Sequence, residues 1–282
     1  MQTLVSKLVT KLYGFFFNIM VFFSPERTAQ TAFQVFSKVR KGRVRPDQRP
    51  FLDTAKKTML EVAGHGLQVY EWPGAKETVL LVHGWESNAW RWHRLIGKLR
   101  DAHYHIIAFD APAHGNSNGT HLHIPGYATA IQALIERYRP QYLVGHSMGG
   151  MAILYNEHLR PNEVVTAIVA IGAPAEFKET MAHYQKLLGF NHKVLNALDT
   201  YVQQRFGMAI RECSSVDFVS ANTKKGLLVH DRWDPITPYH GSVKVHEAWE
   251  GSELMSTEGL GHSMHQDEVN DRIVDFLNRV GS

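Results

Sequence analysis

The residues most able to do chemistry are Gly145, Ser147 and Gly149, which form the pattern Gly-x-Ser-x-Gly. An apolar run precedes this pattern, and a run with helical spacing follows it. A serine on a tight turn from strand to helix needs neighbours without a Cβ atom, because only then can the backbone fold closely and leave the hydroxyl exposed. Residues 145–149 therefore predict a nucleophile elbow, with Ser147 as the nucleophile.

A nucleophilic serine needs a basic partner, because its hydroxyl is a poor nucleophile at neutral pH. A histidine accepts the proton during attack, and a carboxylate holds that histidine in the useful tautomer. We expect His262 to be the base, because it precedes the last predicted helix in a loop that can reach Ser147. His265 is the alternative base on the same positional argument.

Two carboxylates follow the seventh predicted strand, Asp231 and Asp234. We expect Asp234 to be the acid, because three residues of loop let it turn back toward the histidine and Pro235 fixes the chain after it. Asp231 stands directly at the strand end. A carboxylate in that position commonly braces a loop by accepting hydrogen bonds from backbone amides.

Acyl transfer passes through a tetrahedral intermediate whose oxyanion is stabilised by well-aimed backbone N–H groups. We expect the amides of Trp85 and Met148 to form this oxyanion hole. Met148 follows the nucleophile at a helix N-terminus, and Trp85 lies on the loop after the third predicted strand. The residues expected to support the site are His83, Gly84, Gly145, His146 and Gly149.

Uninterrupted apolar runs predict the strands that position these side chains. The eight predicted strands are 58–62, 68–72, 78–82, 105–109, 142–144, 165–171, 227–229 and 253–256. From the third run onward, stretches with helical spacing separate the runs, which is typical of parallel strands buried on both faces. Polar residues follow the runs, and parallel strands bring their carboxyl ends to one edge of a sheet. We predict an α/β fold with a mostly parallel, helix-flanked sheet.

The strand pattern stops between residues 173 and 225, where Met, Leu, Tyr and Phe recur at helical spacings. We interpret this segment as a helical cap inserted between two strands. The expected division is a helical extension with a basic linker at 1–50, an α/β core at 51–174 and 223–282, and the cap at 175–222. The basic cluster at 39–46 is expected to be a solvated linker.

The first 24 residues form a strongly apolar head with helical spacing. Gly14 and Asn18 interrupt its apolar run at 12–23, which is too short to span about 30 Å of hydrocarbon. No convincing signal-peptidase site follows, so we expect an uncleaved helix. Three roles stay open: a peripheral membrane contact through residues 4–23, a dimer contact, and packing on the protein's own surface.

Composition excludes several other classes of function. The 282 residues are 44% hydrophobic and 20% charged, as in an ordinary globular protein, and a net charge of +3 does not indicate a nucleic-acid partner. Cys213 is the single cysteine, so no internal disulfide forms, which agrees with a cytoplasmic location. We expect no metal and no cofactor, because neither His121 with His123 nor His83 with His114 has the spacing of a metal site. Composition leaves the oligomeric state open.

Five motifs taken together resemble the α/β-hydrolase superfamily over about residues 58–282. They are the segments 82–85, 110–117, 145–150, 230–234 and 261–262. The resemblance implies an α/β-hydrolase fold with an eight-stranded sheet and a short helical cap, in the serine esterase and lipase-like branch. Ala113 stands where many relatives have glycine, so we expect no left-handed backbone at this position.

The serine at the elbow argues against relatives that resemble dehalogenases and epoxide hydrolases, which carry an aspartate there. We expect cleavage of a small, apolar carboxylic ester through an acyl-enzyme intermediate. The alternatives on the same three residues are a thioesterase, an amidase, a C–C bond hydrolase and an acyltransferase. A non-catalytic binding protein with the same fold is the alternative from a different class.

Overall fold

The computed structural model describes residues 2–281, and for residues 2–8 it describes the backbone alone. The helices are α1 Gln2–Phe23, α2 Pro25–Ser37, α3 Arg49–Leu52, α4 His93–Asp101, α5 Ile124–Tyr138, α6 Met148–Leu159, α7 Phe177–Leu188, α8 His192–Phe206, α9 Ser215–Val219, α10 Tyr239–Ala248 and α11 Asp267–Val280. The strands are β1 Lys56–Val62, β2 His65–Trp72, β3 Thr78–Val82, β4 His105–Phe109, β5 Tyr142–His146, β6 Ala167–Ile171, β7 Lys225–Asp231 and β8 Ser252–Thr257.

The larger of two compact units contains the sheet and comprises Val39–Ala175 and Ser215–Ser282. The strand order is β1-β2-β4-β3-β5-β6-β7-β8. β2 runs antiparallel to β1 and β4, and all other neighbouring pairs are parallel. Helices α4 and α11 contact each other and the sheet, as do α5 and α6. The predicted α/β-hydrolase fold with a mostly parallel, eight-stranded sheet is confirmed.

The central strands are buried along their whole length, because helices cover both faces of the sheet. Every residue of β3, β5 and β6 is buried, whereas β1 at the edge has only exposed and half-buried residues. The register pairs Val82 with Gly145, and Ile171 with both His146 and Val229. Strands β3, β5, β6 and β7 therefore end side by side, and the loops that follow them meet at one edge.

The segment expected to be a solvated basic linker is bound to the larger unit. The backbone N–H of Val39 donates to the carbonyl of Thr120 at 3.0 Å. The guanidinium of Arg43 donates to the carbonyls of Gly115 and Ser117 at 3.2 and 2.8 Å. Arg43 thus satisfies carbonyls of the loop after β4 that would otherwise need water. Arg40, Lys41, Arg43 and Arg45 are nevertheless all exposed, as in a solvated segment.

The smaller unit is helical and comprises Met1–Lys38 and Glu176–Ser214. Its core contains Phe17 from α1, Phe33 from α2, Tyr184 from α7 and Leu198 from α8. The hydroxyl of Tyr184 also donates to the carbonyl of Ala32 at 3.0 Å. The extension and the inserted segment thus form one hydrophobic core. The unit boundaries lie at residues 38, 175 and 214 instead of the expected 50, 174 and 222, so residues 39–50 and α9 belong to the larger unit.

Gly14 and Asn18 fix α1 against the turn between α7 and α8. A Cβ atom on Gly14 would lie 2.1 Å from the carbonyl oxygen of Leu188, so only glycine permits this approach. The side chain of Asn18 donates to the carbonyl of Gly189 at 3.1 Å and accepts from the N–H of Asn191 at 2.7 Å. The two residues that interrupt the apolar run are therefore the points of attachment. Within the described part of the chain, no helix is long and apolar enough to cross a membrane.

Candidate active site

Ser147 lies on a strained turn between β5 and α6. Its φ is 51° and its ψ is −124°, a conformation that costs a non-glycine residue about 1–3 kcal/mol. A Cβ atom on Gly149 would lie 2.4 Å from the carbonyl oxygen of Val82, and one on Gly145 would lie 2.7 Å from Cα of Gly150. Both glycines of the pattern are thus required by close backbone packing, which holds the serine at the sheet edge.

Ser147, His262 and Asp234 form one line of hydrogen bonds. The Ser147 Oγ lies 2.9 Å from Nε2 of His262, and the His262 Nδ1 lies 2.7 Å from Oδ2 of Asp234. With the proton on Nδ1, His262 donates to the carboxylate and accepts from the serine hydroxyl. The structure brings together the three residues that the sequence selects as nucleophile, base and acid.

The Asp234 carboxylate is fully buried and well satisfied. Its Oδ1 accepts from the N–H groups of Ile236 and Thr237 at 2.8 and 3.1 Å, and its Oδ2 accepts from the Thr237 hydroxyl at 2.8 Å. Burial raises the pKa of Asp234, but hydrogen bonds from His230, His262 and the two amides outweigh burial and hold this pKa well below its usual range. Asp234 therefore remains a carboxylate at every ordinary pH.

Asp231 and His265, the alternatives to Asp234 and His262, make other contacts. Asp231 accepts hydrogen bonds from the N–H of Trp233, the hydroxyl of Thr257 and the N–H of Leu260, at 3.0, 2.9 and 2.8 Å. It thereby braces the loop that leads to His262. His265 lies just before α11, where its carbonyl accepts from Asn270 at 3.1 Å. The ring that reaches the Ser147 hydroxyl is that of His262.

The residues expected to supply the oxyanion hole flank Ser147. Met148 is the first residue of α6, so its N–H has no acceptor within the helix. On the other side, a Cβ atom on Gly84 would lie 3.1 Å from Cβ of Ser147, so the loop that carries Trp85 passes directly beside Ser147. The indole of Trp85 packs edge to face on His114, with the ring centroids 5.7 Å apart.

His83 holds the loop that carries Trp85 in place. Its ring is fully buried, its Nε2 accepts from the N–H of Ala111 at 2.9 Å, and its carbonyl accepts from the hydroxyl of Tyr127 at 2.7 Å. Burial, with a smaller contribution from His114, lowers the pKa of His83 well below its usual value, so the ring is neutral. His83 therefore ties the loop after β3 to the loop after β4.

His146 holds the backbone of His262 in place. Its Nε2 donates to the carbonyl of His262 at 2.8 Å, and the two rings lie 4.9 Å apart. Burial, followed by the nearby charge of Arg91 and the ring of His262, lowers the pKa of His146 well below its usual value. The guanidinium of Arg91 donates to the carbonyl of Ser263, next along the chain. His146 and Arg91 thus hold the backbone on which the His262 ring is mounted.

Sequence reasoning missed His230 and Thr237 as partners of the acid. The His230 ring is fully buried, and its Nε2 lies 3.4 Å from Oδ2 of Asp234. Its Nδ1 lies 2.5 Å from the hydroxyl of Ser242 on α10. Only one signal could have identified them: His230 at the end of β7 and Thr237 in the loop after it flank Asp234, at separations of four and three residues.

The backbone at Ala113 differs from the expectation. Its φ is 69°, in the left-handed region, and its N–H donates to the carbonyl of Asn118 at 2.7 Å. The prediction that this position needs no left-handed backbone was wrong, because the turn after β4 must reverse to bring Asn118 back to Ala113. Alanine adopts this conformation at a cost of about 1–2 kcal/mol.

Among residues 2–281, no three His, Cys, Asp or Glu side chains come together as metal ligands. The groups gathered at this edge are a serine hydroxyl, an imidazole and a carboxylate. Such an arrangement can transfer an acyl group to and from the serine without a cofactor.

The chain is similar to several known proteins. It is 33% identical over 116 residues to an uncharacterised hydrolase, YugF, of Bacillus subtilis. The aligned region covers 39% of this chain and 41% of YugF. It is 30% identical over 112 residues to the (R)-3-hydroxydecanoyl-ACP:CoA transacylase of Pseudomonas aeruginosa. This aligned region covers 38% of this chain and 37% of the transacylase. The matches thus span about two fifths of the length of these relatives.

Among solved structures, Est1E of Butyrivibrio proteoclasticus, with ferulic acid bound, superimposes with a TM-score of 0.67 at 20% identity. The match covers 79% of this chain and 98% of Est1E, and shows the fold. The sequence model of the alpha/beta hydrolase family matches residues 79–276, which is more than half of the chain. The chain therefore belongs to the alpha/beta hydrolase family.

Proposed function

We propose that this alpha/beta hydrolase cleaves carboxylic esters through an acyl-enzyme intermediate on Ser147. The proposal rests on one observation, the unbroken line of hydrogen bonds from Ser147 through His262 to Asp234, with distances of 2.9 and 2.7 Å. Such a line lets a serine hydroxyl lose its proton at the moment it attacks. We assign Ser147 as nucleophile, His262 as general base and Asp234 as the acid that orients the base.

In the first half-reaction, Oγ of Ser147 attacks the ester carbonyl carbon and its proton moves to Nε2 of His262. Asp234 accepts the Nδ1 hydrogen of His262 and stabilises the imidazolium that forms. The lowered pKa of Asp234 supports this role, because an acid that stays ionised can stabilise the positive ring throughout the cycle. The tetrahedral intermediate collapses when the leaving alcohol takes the proton from Nε2.

The oxyanion of the intermediate is assigned to the N–H groups of Met148 and Trp85. The N-terminus of α6 adds a partial positive charge at the same place. Each donor aimed at an oxyanion lowers the barrier by about 3–4 kcal/mol. In the second half-reaction a water gives its proton to His262 and attacks the acyl group, which releases the acid and restores Ser147.

Acyl transfer to an acceptor other than water is the second candidate. The similarity to a transacylase of Pseudomonas aeruginosa favours it, at 30% identity over 112 residues. Both candidates share the acyl-enzyme intermediate and differ only in the nucleophile that removes the acyl group. A thioester donor such as an acyl-CoA would enter by the same attack of Ser147.

The test measures labelling and turnover in parallel. Wild type should react with a fluorophosphonate probe and cleave p-nitrophenyl esters, and Ser147→Ala should do neither. Ser220→Ala is the matched control, because Ser220 is an exposed serine at the end of α9, with its hydroxyl bonded to the carbonyl of Asp217. A probe that still labels Ser147→Ala would show that the nucleophile is a different residue.

The same assay separates the two candidates when acceptors are added. Acyl-CoA thioesters and p-nitrophenyl esters of graded chain length serve as donors, and alcohols or thiols serve as acceptors. An ester hydrolase releases free acid at a rate that added acceptor leaves unchanged. Formation of acyl-acceptor product at the expense of free acid would assign the enzyme as an acyltransferase. Labelling without turnover of any donor would refute both assignments.

A further inference from the structure

Helix α1 has one buried face and one exposed apolar face. Gly14, Phe17 and Val21 are buried in the helical unit. The opposite side, called here the apolar face, is formed by Val9, Leu12, Phe15, Phe16, Ile19, Phe22 and Phe23, which are all exposed. Phe15, Phe22 and Phe23 are 65%, 64% and 85% exposed, values that are unusual for phenylalanine. A contiguous apolar patch of this kind marks a surface that binds something apolar.

The attachment of α1 prevents this face from turning inward. Gly14 lies against the carbonyl of Leu188, and Asn18 is hydrogen-bonded on both sides of the turn after α7. A rotation of the helix would break both hydrogen bonds of Asn18 and push a side chain into Leu188. The apolar face is therefore a fixed feature of the folded unit.

Positive charge borders the apolar face. The ammonium of Lys193 on α8 lies 4.2 Å from the ring centroid of Phe22, and Lys11 donates to the carbonyl of Lys186 at 3.2 Å. Helix α1 contains no Asp or Glu. The helical unit has nine Lys and Arg against five Asp and Glu, a net charge of +4, whereas the larger unit has 21 against 22, a net charge of −1. Both counts cover the whole sequence.

The combination of a phenylalanine-rich face and bordering lysines points to one occupant. We propose that the apolar face of α1 binds the surface of an anionic lipid bilayer, with the helix lying in the interface. Phenylalanine and leucine enter the boundary between headgroups and acyl chains, and lysines at the border pair with anionic headgroups. No described helix crosses a membrane, which agrees with a helix that lies on the bilayer without spanning it.

A second copy of the chain fits this face less well. A symmetric dimer would place the same patch against itself and bring the lysines of both copies together. Without an acidic residue on α1, no carboxylate of the same helix can pair with them. An anionic bilayer removes this repulsion, so the charge pattern favours lipid over self-association. The inference is independent of the proposed ester chemistry.

The test uses the full chain and two kinds of vesicle, pure phosphatidylcholine and phosphatidylcholine with about one third phosphatidylserine. Wild type should co-sediment with the anionic vesicles, and added salt should weaken this binding because it screens the lysines. The variant Phe15→Ser/Phe22→Ser/Phe23→Ser should remain in the supernatant. The matched control is Met59→Ser/Leu159→Ser, since Met59 and Leu159 are exposed apolar residues of the larger unit, and it should sediment like wild type.

The variant Lys11→Gln/Lys193→Gln separates the electrostatic contribution. It should bind the anionic vesicles roughly tenfold or more weakly, because each basic residue near an anionic surface strengthens binding by about fivefold. Circular dichroism should show the same helix content for all variants. Wild type that stays in the supernatant with anionic vesicles would overturn the proposal. So would a lipid-free dimer, seen by analytical ultracentrifugation, that the triple serine variant converts to monomer.

Discussion

The substitution Asp234→Asn tests the geometry of the acid most directly. Oδ1 of Asp234 accepts two backbone N–H groups, from Ile236 and Thr237, at 2.8 and 3.1 Å. An asparagine must keep its amide oxygen there, so its NH₂ group falls at Oδ2, facing Nδ1 of His262. Nδ1 then becomes an acceptor and the proton moves to Nε2. A histidine that carries its proton on Nε2 cannot accept one from Ser147.

The expected loss is therefore large and falls on the chemical step. The structure predicts that kcat for a p-nitrophenyl ester falls by about 10⁴ in Asp234→Asn, the loss known for a Ser-His-Asp triad whose acid imposes the tautomer. KM should change little, because the side chain of Asp234 is fully buried and cannot touch the substrate. Stopped-flow release of p-nitrophenol measures the acylation step, and thermal unfolding verifies that the variant is folded.

Asp231→Asn is the matched control. Its NH₂ group would face a donor in either orientation, the N–H of Trp233 at the position of Oδ1 or that of Leu260 at the position of Oδ2, so the substitution should cost about 1–3 kcal/mol of stability. Its kcat should remain within about tenfold of wild type when measured on folded protein, since the tautomer of His262 is unaffected. The reasoning is refuted if Asp231→Asn loses more activity than Asp234→Asn, or if Asp234→Asn keeps a tenth of the wild-type rate.

The remaining predictions concern stability and reactivity. Folding lowers the pKa of Asp234, so its contribution to stability is complete above the unfolded value of about 4 and is lost as pH falls below that value. Urea unfolding at decreasing pH should therefore show a steeper fall in the free energy of unfolding for wild type than for Asp234→Asn. Burial, with a smaller effect of Glu176, raises the pKa of Cys213 to about 12. Iodoacetamide at pH 8 should therefore alkylate Cys213 only after denaturation, and equal alkylation rates in native and denatured protein would contradict this. Because φ is positive at Ala113, Ala113→Gly should change the free energy of unfolding by less than about 1 kcal/mol, whereas Ala113→Val should lower it by more than about 2 kcal/mol. Equal chemical-denaturation midpoints for the two variants would show that the positive φ does not set the stability at this position.

The larger unit was predictable because its signals are local. Runs such as Val79 to Val82 are apolar without interruption because both faces of a central strand are buried, and the polar residues after them mark the strand ends. Ser147 and His262 lie 115 residues apart, yet parallel strands bring their loops to one edge. The fold and the convergence of the three site residues thus followed from periodicity and strand ends.

The helical unit was not predictable in the same way, because its contacts leave no local pattern. Asn18 and Asn191 are 173 residues apart in sequence, and the residues around either one do not indicate their hydrogen bond. Gly14 looked like an interruption of an apolar run, and its role appears only beside the carbonyl of Leu188. The left-handed backbone at Ala113 was missed for a similar reason, since alanine carries no mark of the turn that it occupies.

The helical unit is made from two segments of chain, and this has a consequence for biosynthesis. Helix α1 leaves the ribosome before its partners around Asn191, which follow 173 residues later. At about 5–20 residues per second, translation needs roughly ten to thirty seconds to produce them. Throughout that interval Phe17 and Val21, which the folded unit buries, lack the partners that α7 and α8 supply. A nascent chain of this protein therefore exposes apolar residues on two sides of α1, available to chaperones and lipid, before α7 and α8 can complete the core that covers one of them.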